Sequence, residues 1–314
     1  MKVYSASMEF IGETAALATA IFWAFTSMFF TQASRLIGSF NVNKIRLVLA
    51  VTIYCVALVA TEGRLLPDNI TRDHFFWLGL SGIVGLVIGD SALFKAFVMI
   101  GPRLAMLIHA SAPVMATIMA WIFLGEVLGA LDVIGICVTV AGITWVVAER
   151  KYQSNNFVDK SHPDAGSLAK GVGLGLLGAL GQAAGLVIAK YGMLNVGATV
   201  EPMEASFIRM LAAMIVIWIY AVFRGQMPAT FTTIKNVRAI GFSVGGAIFG
   251  PFLGVWMSLV AVKYIEAGIA ATINATTPIW IIPLVIVIYK EKVSLRALSG
   301  AIVTVAGITL LMLS

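Results

Sequence analysis

The sequence is poor in charged residues, and this scarcity restricts the class of protein more than any other feature. Only 11% of its 314 residues are charged, whereas 60% are hydrophobic and the mean hydropathy is +0.97. Water-soluble domains carry about 25% charged residues. So few charges cannot cover the surface of a soluble fold of this size, and the composition therefore predicts an integral membrane protein.

Cysteine and histidine are also scarce, which excludes several kinds of site. The two cysteines, Cys55 and Cys137, lie inside apolar stretches and indicate small apolar packing rather than a disulfide framework. Two of the three histidines, His74 and His162, fall in or beside hydrophilic stretches. There is no HExxH or GxSxG motif, no Cys–His cluster and no phosphate-binding glycine loop. The sequence therefore predicts no enzyme, no metal site, no cofactor and no direct use of ATP.

The chain is basic, with a net charge of +6 and a pI near 9.4. The basic residues are spread over many short hydrophilic connections rather than gathered on one face, which argues against nucleic-acid binding. Lys and Arg beside apolar spans are instead typical of a protein that anchors and orients itself in membrane lipid.

Ten apolar segments are long enough to cross a bilayer, which requires about 20 residues each. They cover residues 13–33, 45–61, 75–99, 103–124, 130–148, 171–190, 205–223, 237–262, 267–289 and 294–313. The longest hydrophilic stretch, 149–170, separates the fifth span from the sixth and reads as a linker. We therefore expect an all-α membrane protein with a five-helix unit in 1–148, a linker in 149–170 and a second five-helix unit in 171–314.

An internal repeat supports this division. The sequence VAGIT at 140–144 recurs at 305–309, a step of 305 − 140 = 165 positions that we call the repeat offset. The same offset pairs Pro113 with Pro278 without a gap. Arg46 and Arg209 pair at an offset shorter by two. Because five spans are an odd number, the second copy must enter the membrane in the opposite direction. The sequence therefore predicts two inverted repeats, an arrangement that recurs in transporters.

The distribution of Lys and Arg predicts the orientation of the chain. With ten spans, the side of the two termini holds five basic residues near span ends, Lys2, Arg64, Arg72, Lys190 and Lys263. The opposite side holds fourteen, Arg35, Lys44, Arg46, Arg103, Arg150, Lys151, Lys160, Lys170, Arg224, Lys235, Arg238, Lys290, Lys292 and Arg296. We therefore expect the termini outside the cell and the central linker in the cytoplasm.

The ends of the two repeats share a motif. In the first copy it comprises Ala96-Phe97, Ala110-Ser111-Ala112-Pro113, Leu124-Gly125-Glu126, Gly135 and Ala141-Gly142. In the second copy it comprises Ala261-Val262, Ala275-Thr276-Thr277-Pro278, Lys290-Glu291, Gly300 and Ala306-Gly307. The doubled motif resembles the tandem EamA domains of the drug/metabolite transporter superfamily. The resemblance implies a ten-helix carrier with a central cavity in the cell membrane, often an exporter of amino acids or other metabolites.

Ionisable residues inside the spans are candidates for the transport site, because each costs roughly 2.5–3.5 kcal/mol to place mid-membrane on insertion scales. Asp90 in the third span reads either as a cation-binding or proton-coupling carboxylate or as a structural hydrogen-bond acceptor. Arg46 reads either as an interfacial anchor, which its place near a span start favours, or as a functional residue. Arg209 lies deeper, with Glu201 and Glu204 close by, and either an ion pair or contact with an anion would explain it.

His109 and Asn274 are related by the repeat offset, and each precedes a proline by four positions. A proline has no N–H, so the carbonyl four positions before it loses its usual partner. Broken helices at matching positions of two halves point to a midplane site. Ser111 and Thr276 share this argument, although a hydroxyl can also bond its own backbone.

Trp23 and Gln182 fall at comparable depths of the two repeats. Trp23 either packs a solute or fills a gap between helices, and Gln182 either joins helices or lines a cavity. These residues together predict a secondary carrier for a small solute that works by alternating access. A proton is a candidate coupling ion, because both Asp90 and His109 can titrate. A lipid-modifying enzyme and a channel are the alternatives. Loss of solute flux on removal of Asp90, without any product chemistry, would favour a carrier over the enzyme, and saturable counterflow would argue against the channel.

Overall fold

The computed structural model describes residues 2–65, 70–115, 129–152, 168–265, 273–290 and 293–312, together with residues 118 and 270. All regular elements in these ranges are helices. They are α1 (Lys2–Ile37), α2 (Ser39–Glu62), α3 (Arg72–Ile100), α4 (Pro102–His109), α5 (Ala130–Tyr152), α6 (Leu168–Leu194), α7 (Pro202–Phe223), α8 (Met227–Ile234), α9 (Val237–Tyr264), α10 (Thr277–Tyr289) and α11 (Leu295–Met312).

Six of these helices are long and apolar enough to cross a membrane, namely α2, α3, α6, α7, α9 and the Phe10–Ile37 part of α1. Shorter apolar helices cover Val133–Val146, Thr277–Tyr289 and Leu295–Leu310. The chain is thus a multi-pass helical membrane protein, as its composition predicts. Residues 116, 117 and 119–124 of the predicted fourth span lie outside the described residues. The same is true of residues 153–167 of the linker and of Glu126 and Glu291 of the motif.

Single glycines make two of the tightest connections between helices. Gly38 separates α1 from α2 and Gly101 separates α3 from α4, and both have a φ of 81°. Residues with a side chain rarely adopt such a backbone conformation, whereas glycine does so readily. A connection of a single glycine brings the ends of consecutive helices together, which fixes how they pack.

The short helix α8, which the sequence did not suggest, lies between α7 and α9. Thr230 on this helix is buried, and Lys44 of α2 donates a hydrogen bond to its hydroxyl. Lys44 also lies 5.0 Å from the centre of the Phe40 ring. This lysine is therefore buried beneath α8 rather than free at the membrane surface.

Glycines allow the closest approaches between helices. Gly89 of α3 and Gly181 of α6 meet so closely that a Cβ atom on Gly181 would lie 2.6 Å from the Cα of Gly89. A Cβ atom on Gly250 of α9 would lie 2.5 Å from the Thr26 hydroxyl oxygen of α1. The glycine-rich stretches thus serve close helix packing, which in membranes depends on small residues.

Large apolar side chains face outward from this packed interior. Phe223 is 86% exposed, Val237 82% and Val287 75%. Side chains of this size exposed in such numbers are typical of a surface that contacts another apolar phase. Lipid is therefore the expected neighbour of the outer helix faces.

Candidate functional site

Two π-helical segments interrupt the long helices α3 and α9. They cover Ile83–Gly89 and Ile248–Gly254, which are related by the repeat offset. A π-helical turn shifts the backbone hydrogen bonds by one position and is frequent at functional sites. The second segment contains Pro251, whose missing N–H further weakens the helix at this point. Both long helices are therefore locally widened at the same relative position.

Two turns at matching positions break the next helices. The first, at Ala110–Ser111, directly follows His109, and the second, at Ala275–Thr276, directly follows Asn274. The repeat offset relates these two turns as well. The helix breaks predicted from Pro113 and Pro278 are therefore present in the structure.

Local hydroxyl groups satisfy part of the backbone that these breaks release. The Ser111 hydroxyl donates to the Ile108 carbonyl at 2.7 Å, and the Thr276 hydroxyl donates to the Ile273 carbonyl at 2.7 Å. The Thr277 hydroxyl donates to the Asn274 carbonyl at 2.6 Å. In this conformation Ser111 and Thr276 thus bond their own helices, the second of the two interpretations that the sequence allows.

An ion pair joins α2 to α3 beside the first π-helical segment. Arg46 Nη2 lies 2.5 Å from Asp90 Oδ2 and 3.2 Å from the Leu86 carbonyl oxygen. Arg46 Nε donates to Asn43 Oδ1 at 2.7 Å, and Asn43 Nδ2 in turn donates to the Ser91 hydroxyl at 2.7 Å. The arginine thus binds both the Asp90 carboxylate and a backbone carbonyl of the π-helical segment.

Aromatic rings surround this ion pair. The Arg46 guanidinium carbon lies 4.9 Å from the centre of the Phe94 ring and 5.9 Å from that of Phe30. Both distances are within the range of cation–π attraction. The ion pair is thus shielded from water on its ring-bearing side, which strengthens its electrostatic interactions.

A cavity of about 50 Å³ opens next to the ion pair. Both halves of the chain contribute to its wall. The lining residues are Trp23, Thr26, Phe30, Arg46, Leu86, Asp90, Leu93, Phe94, Phe97, Met106, His109, Gln182, Gly250, Pro251 and Val255. The wall is mostly apolar and aromatic with a few polar groups, which is the usual character of a small-molecule site.

Four of the eight residues predicted to contact the solute line this cavity, namely Trp23, Asp90, His109 and Gln182. The rings of Trp23 and His109 lie 5.9 Å apart between their centres. His109 Nδ1 is buried and has no hydrogen-bond partner among the described residues. The structure therefore places an imidazole nitrogen with unused hydrogen-bonding capacity at the cavity.

The other four candidates, Ser111, Arg209, Asn274 and Thr276, are not among the lining residues of this cavity. Asn274 Oδ1 and Arg209 Nε are buried and have no hydrogen-bond partner within the described part of the chain. These two side chains thus carry unmatched polar atoms in the interior without lining the cavity.

Two interpretations of the arginines are wrong. Arg46 is not an interfacial anchor, because it is 2% exposed and paired with Asp90. Arg209 does not pair with the nearby glutamates, because Glu201 binds Lys263 at 2.7 Å and Glu204 accepts from the Glu201 backbone N–H at 3.3 Å. The two arginines occupy corresponding positions of the repeats, and this correspondence was the feature of the sequence that could have indicated that both are buried.

The comparisons with known proteins agree with this architecture. The model of the EamA-like transporter family matches residues 10–148 and 169–313. No curated protein matches the chain. A solved crystal structure, described only as that of a protein, aligns over 97% of this chain and 95% of its own with a TM-score of 0.60 and 17% identity. At that identity the likeness concerns the fold alone.

Proposed function

Because the chain belongs to the EamA-like transporter family, we propose that it is a secondary carrier that exports a small metabolite across the cell membrane. The observation that carries this proposal is the cavity beside the Arg46–Asp90 pair, whose wall is built from both halves of the chain. Asp90 and His109 are the polar groups best placed to contact a solute there. A carrier of this kind draws its energy from a gradient, and a proton that binds Asp90 or His109 would couple it.

The proposed mechanism is alternating access between two inverted repeats of five helices. A reciprocal contact between α5 and α11 supports the repeat. A Cβ atom on Gly142 would meet the Thr304 hydroxyl oxygen at 2.5 Å, and one on Gly307 would meet the Thr139 hydroxyl oxygen at 2.6 Å. The repeat offset converts one contact into the other. Such exchange of partners is what a twofold axis between equivalent elements produces.

The two π-helical segments beside the cavity show a similar exchange of packing partners between the halves. Ile83–Gly89 of α3 packs against α6, the first helix of the second half, through Gly89 and Gly181. Ile248–Gly254 of α9 packs against α1, the first helix of the first half, through Gly254 and Trp23. In each half, the helix with the π-helical segment thus packs against the first helix of the other half. Two halves in such equivalent contact can exchange their conformations, so that one central cavity opens to either side in turn.

The first test is a flux assay on the purified full-length protein in liposomes. Solute classes that raise its melting temperature identify candidates, and saturable counterflow of a labelled candidate is the expected result. Asp90→Asn should abolish this counterflow while leaving folded protein in the membrane. Chemical conversion of the solute, or flux that never saturates, would contradict the carrier and favour an enzyme or a channel.

A second test concerns the pair of helix breaks. We expect His109→Ala and Asn274→Ala each to reduce counterflow, because both side chains hold unmatched buried nitrogen or oxygen atoms at equivalent breaks. The folded fraction of each variant, measured by size-exclusion chromatography, should equal that of the unmodified protein. Normal counterflow in the double variant would remove both residues from the site.

A further inference from the structure

Arg209 is a buried cation without the partners that its counterpart has. It is 2% exposed, and its Nε atom has no hydrogen-bond partner among the described residues. One helical turn earlier on α7, Ser206 is fully buried, and its hydroxyl lies beside the Tyr54 hydroxyl without a well-formed hydrogen bond in the described ranges. Positions three apart share one face of a helix. Two unmatched polar groups therefore lie side by side in the interior.

The first half shows what such a pair binds. Arg46 corresponds to Arg209, and Asn43 corresponds to Ser206 at the same offset as the two arginines. In the first half, Arg46 binds the carboxylate of Asp90 at 2.5 Å and Asn43 accepts from Arg46 Nε. The repeat offset, which relates the two π-helical segments, places Val255 where the first half has Asp90. The second half thus has the arginine but not the carboxylate.

The backbone acceptor of the first half has a different donor in the second. Arg46 donates to the Leu86 carbonyl, and the equivalent carbonyl is that of Pro251. The Tyr54 hydroxyl, which lies close to Ser206 and Arg209, donates to this carbonyl at 2.9 Å. Among the described residues, no hydrogen bond joins Arg209 to the Pro251 carbonyl.

The charges around the cavity do not balance. Asp90 interacts electrostatically with both Arg46 and Arg209, so one carboxylate serves two buried guanidinium groups. This cluster carries one positive charge in excess. An uncompensated charge inside a protein or a membrane is strongly unfavourable. A bound anion would balance the cluster.

We infer that Arg209 and Ser206 form a binding site for a monoanionic group in the interior of the chain. The guanidinium and the hydroxyl supply the donors for the anion. The inference deepens the proposed function and rests on it, because the carboxylate of a transported solute and an inorganic anion share this chemistry.

Melting curves of the purified full-length protein test this site directly, with sodium acetate and sodium chloride as probes and acetamide as the neutral control. Both salts are measured at equal ionic strength, and their effects on Arg209→Met at the same concentrations serve as the reference for non-specific salt effects. We expect acetate, chloride or both to raise the melting temperature saturably, and acetamide to have no effect. A response to acetate alone identifies an organic carboxylate as the natural occupant, and an equal or greater response to chloride identifies an inorganic anion.

Two sets of variants make the test specific. Arg209→Met should weaken anion binding by roughly 10- to 100-fold, as the loss of a charge-assisted hydrogen bond does. Val255→Asp should abolish the response, because it supplies the missing carboxylate from within the chain, whereas Val255→Asn should retain it. Ser206→Ala should weaken binding, whereas the matched Ser243→Ala should not, since Ser243 already donates to the Ala239 carbonyl at 2.8 Å.

The result that would overturn the site is an unchanged anion response in folded Arg209→Met, or no response of the unmodified protein to either salt. The proposed function fails differently, through the absence of saturable counterflow. Saturable counterflow together with an anion response that is unchanged in folded Arg209→Met would leave the carrier standing and remove the anion site.

Discussion

The buried ion pair between Arg46 and Asp90 should contribute strongly to the stability of the protein, and the substitution Asp90→Asn tests this contribution. Asparagine keeps the shape of the side chain but removes its charge. Arg46 is then left with a buried, unpaired guanidinium, since its side chain is 3% exposed and that of Asp90 is 14% exposed. Loss of one partner from a buried pair costs about 3–5 kcal/mol. We expect the free energy of unfolding to fall by that amount.

The assay is reversible unfolding of the purified protein in mixed detergent micelles with increasing sodium dodecyl sulfate, followed by helix content. A matched control is the Glu201–Lys263 pair, which has a similar separation of 2.7 Å but side chains that are 62% and 22% exposed. Glu201→Gln should cost less than about 1 kcal/mol, because exposed ion pairs contribute little.

A double variant separates the interaction energy of the Arg46–Asp90 pair from the contacts that each side chain makes with other residues. Arg46→Met combined with Asp90→Leu removes both charges, so it should cost less than the sum of the two single changes. The reasoning would be refuted if Asp90→Asn destabilised the protein no more than Glu201→Gln does, or if the two charge removals were additive.

Two further predictions concern helix packing and the π-helical segment. Gly142→Ala should lower the free energy of unfolding by about 1–3 kcal/mol, because the added carbon would lie 2.7 Å from the Thr304 backbone nitrogen. Gly173→Ala, with nothing within 4 Å, should leave it unchanged or raise it by up to about 1 kcal/mol; equal losses in both would contradict the contact. Tyr54→Phe should cost about 1–3 kcal/mol by leaving a buried carbonyl unpaired, whereas Tyr220→Phe at an exposed position should cost nearly nothing. The same unfolding assay measures each change, and a neutral Tyr54→Phe would exclude the bond.

Much of the helical architecture could be predicted, because it depends on properties local to the sequence. The long apolar segments predict spans, and the lack of an N–H on Pro113 and Pro278 predicts the turns after His109 and Asn274. The π-helical segments were not predictable in the same way. They depend on a shift of hydrogen-bond register that composition does not encode, although Gly85 and Gly250 recur at the repeat offset.

The candidate site was only partly predictable, because its contacts depend on which helices become neighbours. Asp90 was evident as an ionisable residue mid-span, but its partner Arg46 lies 44 positions away on another helix. Near the start of a span, an arginine looks like an anchor. Removing the buried Lys44 and Arg46 from the fourteen basic residues on the predicted cytoplasmic side leaves twelve against five, so the predicted orientation keeps its bias.

The inverted arrangement of the two halves underlies the proposed alternating access, and side-specific labelling tests it most directly. In a chain whose Cys55 and Cys137 are replaced by alanine, one cysteine is placed at Glu13 near the start of the first predicted span or at Lys170 near the start of the sixth. The proposed topology predicts that a membrane-impermeant maleimide labels Glu13→Cys only from outside the cell and Lys170→Cys only from the cytoplasmic side. Labelling of both positions from the same side would contradict the inversion and, with it, the proposed transport mechanism.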